Sequence, residues 1–395
     1  MSGQPVCRRV AVIGGGLTGL TAAYRLGELF QQNGRDLDLT LFEASDSCGG
    51  VFGTVRIDGY TVELGADSFI TNKPWAVDLC RRLGLEDQLI PTDARYRRSL
   101  VLRKGHPVRI PDGFMLMSPD RLWPIITTPI LSLRGKLRLA AEYFVPAGRN
   151  NPDESLASFV RRRLGQETLD RLVQPLVGGI YTSDPEKLSL RATLPRFLDM
   201  EIELGGLIRA TRRARAAKSR QDDTTASTAG EHNVGSGARY GLFATLKDGM
   251  GTLLKGLESE VTKIGRLRCQ TPVRSIATTD SNNGRWNVTL ADGSVETFDA
   301  VVVCVPAYVA AKILRPVDLT LADQITRIEY ASSAIVVQGY PLSQVRHPLD
   351  AFGLVVPAIE NRQILAVSFT SRKFPGRAPE GHVQLRTFVG GALQP

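Results

Sequence analysis

Cysteine and histidine are scarce in this chain. Its 395 residues hold five cysteines and four histidines. The cysteines (Cys7, Cys48, Cys80, Cys269 and Cys304) are odd in number, scattered, and never spaced as CxxC. That argues against a disulfide frame or a zinc site and fits free thiols in a reducing compartment. Four isolated histidines argue against a histidine metal cluster, and no metal is expected. No run approaches the roughly 18 uninterrupted apolar residues of a transmembrane helix. A secretory signal is not expected either. Arg8 and Arg9 precede an apolar run, but Gly14, Gly15 and Gly16 break it and no small-residue cleavage pattern comes after. The basic stretch LIRATRRARAAKSRQ (207–221) lacks interleaved aromatics for stacking on bases, so it reads as a solvated helix entering a loop rather than a nucleic-acid stripe. No catalytic triad and no paired acid and base stand out.

The remaining composition is globular. Hydrophobic residues make up 43% and charged residues 23%, ordinary values for a packed chain. The length predicts two or three domains. A net charge of +9 suits nucleic acid, anionic lipid or an anionic substrate, and charge alone does not choose among them.

Residues 8–13 read as a buried strand, 17–32 as a helix and LTLFE (39–43) as a second strand, a βαβ opening. TVRID and YTVEL look like strands. PWAVDLCRRLGL (74–85) has helical periodicity with Pro74 at its start and Gly84 near its end. RRSLVLRKGHPVRIP (97–111) is hairpin-like. From about 119 to 216 the pattern is mostly helical. Residues 217–239 are polar, small and aperiodic, as a flexible loop would be. A helix at GMGTLLKGLESEV and a series of short strands come next.

Between the first strand and helix lies GxGxxG, as Gly14, Gly16 and Gly19. The first glycine permits the tight turn, the second a close backbone approach to a pyrophosphate, and the third close helix–strand packing. The helix N-terminus at Leu17 and Thr18 then offers free N–H groups to the anion. Glu43 ends the second strand, 24 residues after Gly19, where a carboxylate accepts from an adenosine ribose hydroxyl. This context makes a dinucleotide site the expected reading of the turn. The turn by itself does not separate NAD from FAD.

The chain beyond the second strand makes that distinction. EASDSCGG (43–50) carries the glycine pair Gly49–Gly50, and a long excursion reaches GADSF (65–69). This resembles the two-dinucleotide-fold flavoproteins of the amine oxidase and protoporphyrinogen oxidase group. GGIYTSDPEKLSLRATLPRF (178–197), LKDGMGTLLKGL (246–257), VVCVPAYVAAKIL (302–314) and FTSRKFPGRAPEGHVQLRTFVGGA (369–392) extend the resemblance end to end. The chain is identified as a member of the protoporphyrinogen and coproporphyrinogen oxidase family.

The resemblance implies an α/β chain, α+β overall. A Rossmann-like FAD domain (1–90 and 244–306) would join a sheet-based substrate domain (91–111 and 307–395). A helical domain (112–216) would be inserted, with a flexible loop at 217–243. It implies FAD held by Gly14, Gly15, Gly16, Leu17, Thr18, Gly19, Glu43, Ala44, Gly49, Gly50, Gly65, Ala66, Asp67 and Ser68, with Val273 on the adenine. It places the glycine pair and the GADSF turn toward the flavin end. It implies a six-electron oxidation of protoporphyrinogen IX to protoporphyrin IX, or of coproporphyrinogen III to coproporphyrin III, with electrons passed to molecular oxygen and peroxide released. Arg97 or Arg98 would hold a substrate propionate through a charge-assisted hydrogen bond.

Two departures carry consequences. Ser47 and Val51 stand at positions where the family often has basic residues that help neutralise FAD phosphates. The chain also stops at LRTFVGGALQP, whereas family members continue through a further segment that completes the flavin site. Truncation is the favoured expectation, and weak FAD retention would result from it. A non-catalytic relative and another amine-oxidase-like flavoenzyme stay open as rivals. The expected location is cytoplasmic. LWPIITTPIL (122–131), beside basic helices, could serve as a peripheral contact on the inner face of the cell membrane. Core packing or a homodimer contact is the other reading.

Overall fold

The run VAVI at residues 10–13 is apolar at every position because both faces of its strand are covered. In the computed structural model Val10 and Val12 point to one side and Ala11 and Ile13 to the other, all buried, as a parallel strand between two layers requires. The described residues are 7–111, 114–115, 117–119, 122–148, 153–213, 216, 242–279 and 284–394. The 217–239 loop expectation lies outside them.

The chain folds as two units, residues 1–91 with 235–330 and residues 92–234 with 331–395. The first unit is built on a four-stranded parallel sheet. Its order is Gly265–Arg268, Leu37–Phe42, Arg8–Ile13, Ala300–Val303. Helices Leu17–Gln32 and Gly251–Ile264 cover one face. Leu20, Ala23, Leu253, Leu257 and Val261 meet Val10, Val12, Leu39 and Leu41 there. An antiparallel sheet of Val273–Thr278, Trp286–Leu290 and Val295–Phe298 covers the other. Ile276, Val288, Leu290 and Phe298 pack on Ala11, Ile13 and Phe42. Burying each of the valine, leucine, isoleucine and phenylalanine side chains contributes about 1.5–3 kcal/mol. This is the βαβ opening expected from the sequence, closed into three layers.

The second unit holds a six-stranded sheet. Its order is Ser333–Pro341, His382–Gly390, Ala366–Phe369, Gly353–Val355, Ser99–Arg103, His106–Arg109. Strands 99–103 and 106–109 are the hairpin legible in the sequence. Val101 and Val355 pack into the core of the helices between 122 and 208. Leu100, Leu354 and Val367 face the opposite side with Leu349 and Phe369. Several of the helices begin at serines whose hydroxyls accept the N–H three residues on. The pairs are Ser132 with Gly135 at 3.1 Å, Ser155 with Ser158 at 3.2 Å and Ser189 with Ala192 at 3.0 Å. Each such cap is worth about 1 kcal/mol.

Two domain boundaries drawn from the sequence shift. Residues 307–330 join the first unit, not the sheet domain, because Ala310, Ala311 and Ile313 bury one face of the helix Ala307–Leu314 and Ile313 enters the core beside Ile276. The helical insert and the six-stranded sheet are not separate bodies, because their apolar faces share one core.

A buried ion cluster fixes the helices. The Arg163 guanidinium and the Glu142 carboxylate, both fully buried, pair with each other. Arg163 also donates to Glu201 at 2.9 Å, and Glu142 accepts the N–H groups of Leu207 at 2.8 Å and Ile208 at 3.0 Å. Arg162 bridges Glu201 and Glu154, each at 2.7 Å. Buried charges are tolerated only with this completeness of pairing. Among the described residues no helix is long and apolar enough to cross a membrane.

Candidate functional site

The glycine turn joins the first strand to the first helix at the carboxyl edge of the parallel sheet, the edge where open α/β sheets bind ligands. Gly14 has φ +105°, and a Cβ there would lie 2.7 Å from the Cys304 carbonyl. A Cβ on Gly19 would lie 1.8 Å from the Gly14 carbonyl, so any side chain would force helix and strand apart. Gly16 is different. It has φ −71° and ψ 179°, ordinary extended values, and a Cβ there would meet nothing within 4 Å among the described residues. Its freedom from a side chain serves no contact inside the protein; it leaves an open face.

That face lies at the start of a 16-residue helix with no side-chain cap and no acid in its first turn. The first N–H groups of a helix have no intrahelical partner, so Leu17, Thr18 and Gly19 present donors and a positive dipole end to whatever lies there. The open backbone at Gly16 and the uncapped helix fit the pyrophosphate of a dinucleotide.

Glu43 orders the rim. Its Oε2 accepts the Gly15 N–H at 2.6 Å and its Oε1 accepts the Ser45 N–H at 2.8 Å. An ionised carboxylate has about four acceptor sites, so two backbone donors leave capacity for a ribose hydroxyl. Ala44 succeeds it at the exposed rim. Gly49 donates to the Gly15 carbonyl at 2.9 Å and bridges to Gly16, while a Cβ on Gly50 would lie 3.6 Å from the Gly16 Cα. The glycine pair is thus a second layer on the first turn. The 65–68 turn is held against the chain just beyond: a Cβ on Gly65 would lie 2.0 Å from the Val51 carbonyl. Beyond it Ala66 is exposed, and the Ser68 hydroxyl donates to Asp67 at 2.7 Å. Val273 begins the strand just after Thr271, whose N–H donates to the Glu43 carbonyl at 2.8 Å.

Sequence reasoning missed a buried hub beside this site. Glu63 is 1% exposed. It accepts from the Thr54 hydroxyl at 2.6 Å and the Met250 N–H at 2.9 Å, and Thr54 accepts the Gly251 N–H at 2.7 Å. The antiparallel pair of strands Thr54–Ile57 and Tyr60–Glu63 is thereby pinned to the start of helix 251–264. A carboxylate at an inward position of YTVEL was the signal, since buried acids need partners. It also missed Cys48, whose sulfur lies against Gly15: a Cβ there would come within 2.7 Å of it. Burial and the neighbouring Cys269 thiol push Cys48 up to about 12, and burial raises Cys304 as well.

In the second unit the two candidate arginines part company. Arg98 donates to Asp350 at 3.3 Å, and Arg109 grips the same carboxylate. Arg109 holds Asp350 below the usual carboxylate range. Arg97 is exposed and has no ion pair among the described residues.

Comparison with known proteins gives the family. The family model described as flavin containing amine oxidoreductase matches residues 17–394. The coproporphyrinogen III oxidase of Bacillus subtilis (strain 168) is 34% identical over 385 residues, covering 98% of this chain and 78% of the relative. That of Propionibacterium freudenreichii subsp. freudenreichii is 33% identical over 394 residues, covering 96% and 72%. The chloroplastic protoporphyrinogen oxidase of Nicotiana tabacum is 31% identical over 401 residues, covering 97% and 67%. A solved structure from Exiguobacterium sp. 255-15 superposes with a TM-score of 0.81 at 28% identity, covering 98% of this chain and 78% of that one.

Proposed function

The chain belongs to the flavin containing amine oxidoreductase family as an FAD-dependent oxidoreductase, and on that premise we propose that it oxidises a porphyrinogen to a porphyrin, with coproporphyrinogen III as the substrate. The end-to-end similarity to porphyrinogen oxidases carries this reading. Three bacterial relatives at 31–34% identity are coproporphyrinogen III oxidases, which favours that substrate over protoporphyrinogen IX.

FAD, when bound, supplies the two-electron acceptor chemistry. The protein's part is to hold and orient. The N–H groups of Gly16, Leu17 and Thr18 receive the pyrophosphate. Glu43 takes a ribose hydroxyl while its bonds to Gly15 and Ser45 keep the rim in place. Gly49 and Gly50 set the depth of the turn. Gly65, Ala66, Asp67 and Ser68 lie further along the same excursion, and Val273 offers an apolar contact to adenine. Arg97, which has no ion pair among the described residues, binds a substrate propionate. Arg98 is committed to Asp350 and supports the hairpin. Coproporphyrinogen carries four propionates and protoporphyrinogen two, so the former offers Arg97 more partners. Molecular oxygen is the terminal electron acceptor in this reading.

An apolar patch in the second unit suits a peripheral contact with anionic lipid. Trp123, Ile126, Leu133 and Leu137 are exposed, and Lys136 donates to the Ile126 carbonyl at 2.7 Å, so helices Leu122–Thr127 and Leu133–Ala140 adjoin. Apolar side chains beside Arg134 and Lys136 fit a membrane interface; a homodimer contact would use the same surface.

The test is turnover of the two porphyrinogens by FAD-loaded protein, read as porphyrin fluorescence under air. Faster specific turnover of coproporphyrinogen III is expected. Preference for protoporphyrinogen IX would overturn the substrate assignment, and turnover of neither would overturn the reading.

A further inference from the structure

Two cysteines far apart in sequence lie beside the glycine turn. Residues 43–45 and 268–271 run side by side. The Glu43 N–H donates to the Arg268 carbonyl at 2.9 Å, Gln270 to Ser45 at 2.7 Å and Thr271 to Glu43 at 2.8 Å. Cys269 lies within that ladder. Cys48 closes the same loop from the other side, its sulfur over Gly15 and beside Glu43, so both cysteines border Glu43. Both are free and half-buried, so a small oxidant reaches them.

We propose that Cys48 and Cys269 form a reversible disulfide, a modification site on the dinucleotide turn, with hydrogen peroxide as the oxidant and release of FAD as the consequence. The Cys269 sulfur attacks one peroxide oxygen. The O–O bond breaks, the departing hydroxide takes the thiol proton as water, and Cys269 becomes a sulfenic acid. The Cys48 sulfur then displaces the hydroxyl group, which leaves with the Cys48 proton as a second water. Two thiols lose two electrons and one peroxide becomes two waters. A disulfide brings the sulfurs to about 2 Å with a fixed torsion. The Cys48 sulfur therefore leaves its place over Gly15, and the 44–50 loop that carries the Glu43 contacts and the glycine pair moves with it. The effect on FAD rests on reading this turn as the pyrophosphate site.

The experiment uses the whole chain, reduced, loaded with FAD and exposed to hydrogen peroxide. Non-reducing tryptic mapping is expected to show the peptide 36–56 linked to 269–274, a link that dithiothreitol reverses. FAD affinity is expected to fall about tenfold on oxidation, the loss of one hydrogen bond to a charged group, and to recover on reduction. Cys269→Ser is expected to bind FAD as the reduced parent does and to ignore peroxide. Absence of the 48–269 link, or a link that leaves FAD affinity unchanged, overturns the proposal. If the reduced parent binds no FAD, the cofactor-site reading falls by itself. The peptide map still decides whether the disulfide forms.

Discussion

Gly16→Ala separates cofactor binding from folding. A Cβ at Gly16 would meet no atom of the described residues within 4 Å, and its φ of −71° and ψ of 179° suit alanine without strain. Replacing glycine at a compatible position stabilises by about 0.4–1 kcal/mol through the unfolded chain. The Tm of the cofactor-free variant should therefore equal or exceed that of the parent. The new methyl group projects onto the open face where the pyrophosphate approaches the backbone. Holding the phosphate back from even one N–H removes a charge-assisted hydrogen bond of about 1.5–3 kcal/mol, or about 10- to 150-fold in Kd. Calorimetry on the cofactor-free protein gives Tm, and quenching of FAD fluorescence gives Kd. Gly19→Ala is the contrast. Its Cβ would sit 1.8 Å from the Gly14 carbonyl, so it should lower Tm and FAD affinity together. Gly16→Ala that binds FAD within about twofold of the parent would show that the open face is not the cofactor face.

Glu43→Ala strips the acceptor of the Gly15 and Ser45 N–H groups and should weaken FAD by about tenfold or more, measured by the same titration. Arg163→Ala leaves the buried Glu142 carboxylate without its guanidinium and should destabilise by about 3–5 kcal/mol; a denaturation midpoint within error of the parent would refute the burial argument. Burial by itself would raise Glu201, but hydrogen bonds from Arg162 and the Gly148 N–H prevail and lower it from 4.5. Its contribution to stability is therefore full above that value and is lost as pH falls through the lowered one. Glu201→Gln should flatten the acid limb of Tm against pH, and an unchanged limb would count against it. Arg97→Ala should raise KM for the porphyrinogen by about tenfold, as losing one charged hydrogen bond does. Arg98→Ala should raise it less because Arg98 is paired with Asp350; no change in either variant would end the propionate assignment.

By itself the sequence determined the features that depend on neighbours along the chain. GxGxxG between an apolar run and a helix, the acid at the end of the next strand, and the 97–111 hairpin are local patterns. Their steric reasons hold within a few residues, so the strand, glycine turn and helix were legible, while the choice of FAD came from the family resemblance. The end-to-end family motifs carried the activity. Tertiary structure decided which distant segments meet. Arg98 was separated from Arg97 by Asp350, 252 residues away. Glu63 met the Met250 N–H across 187 residues. Helix 307–314 went to the first unit because its apolar face met the 273–278 strand, and the helical insert shared a core with the sheet it interrupts. Cys48 and Cys269 read as scattered thiols until two parallel strands, Leu37–Phe42 and Gly265–Arg268, carried them to one end of the same sheet. Periodicity shows which face of a segment is apolar, but only the closed core fixes which distant segment covers it.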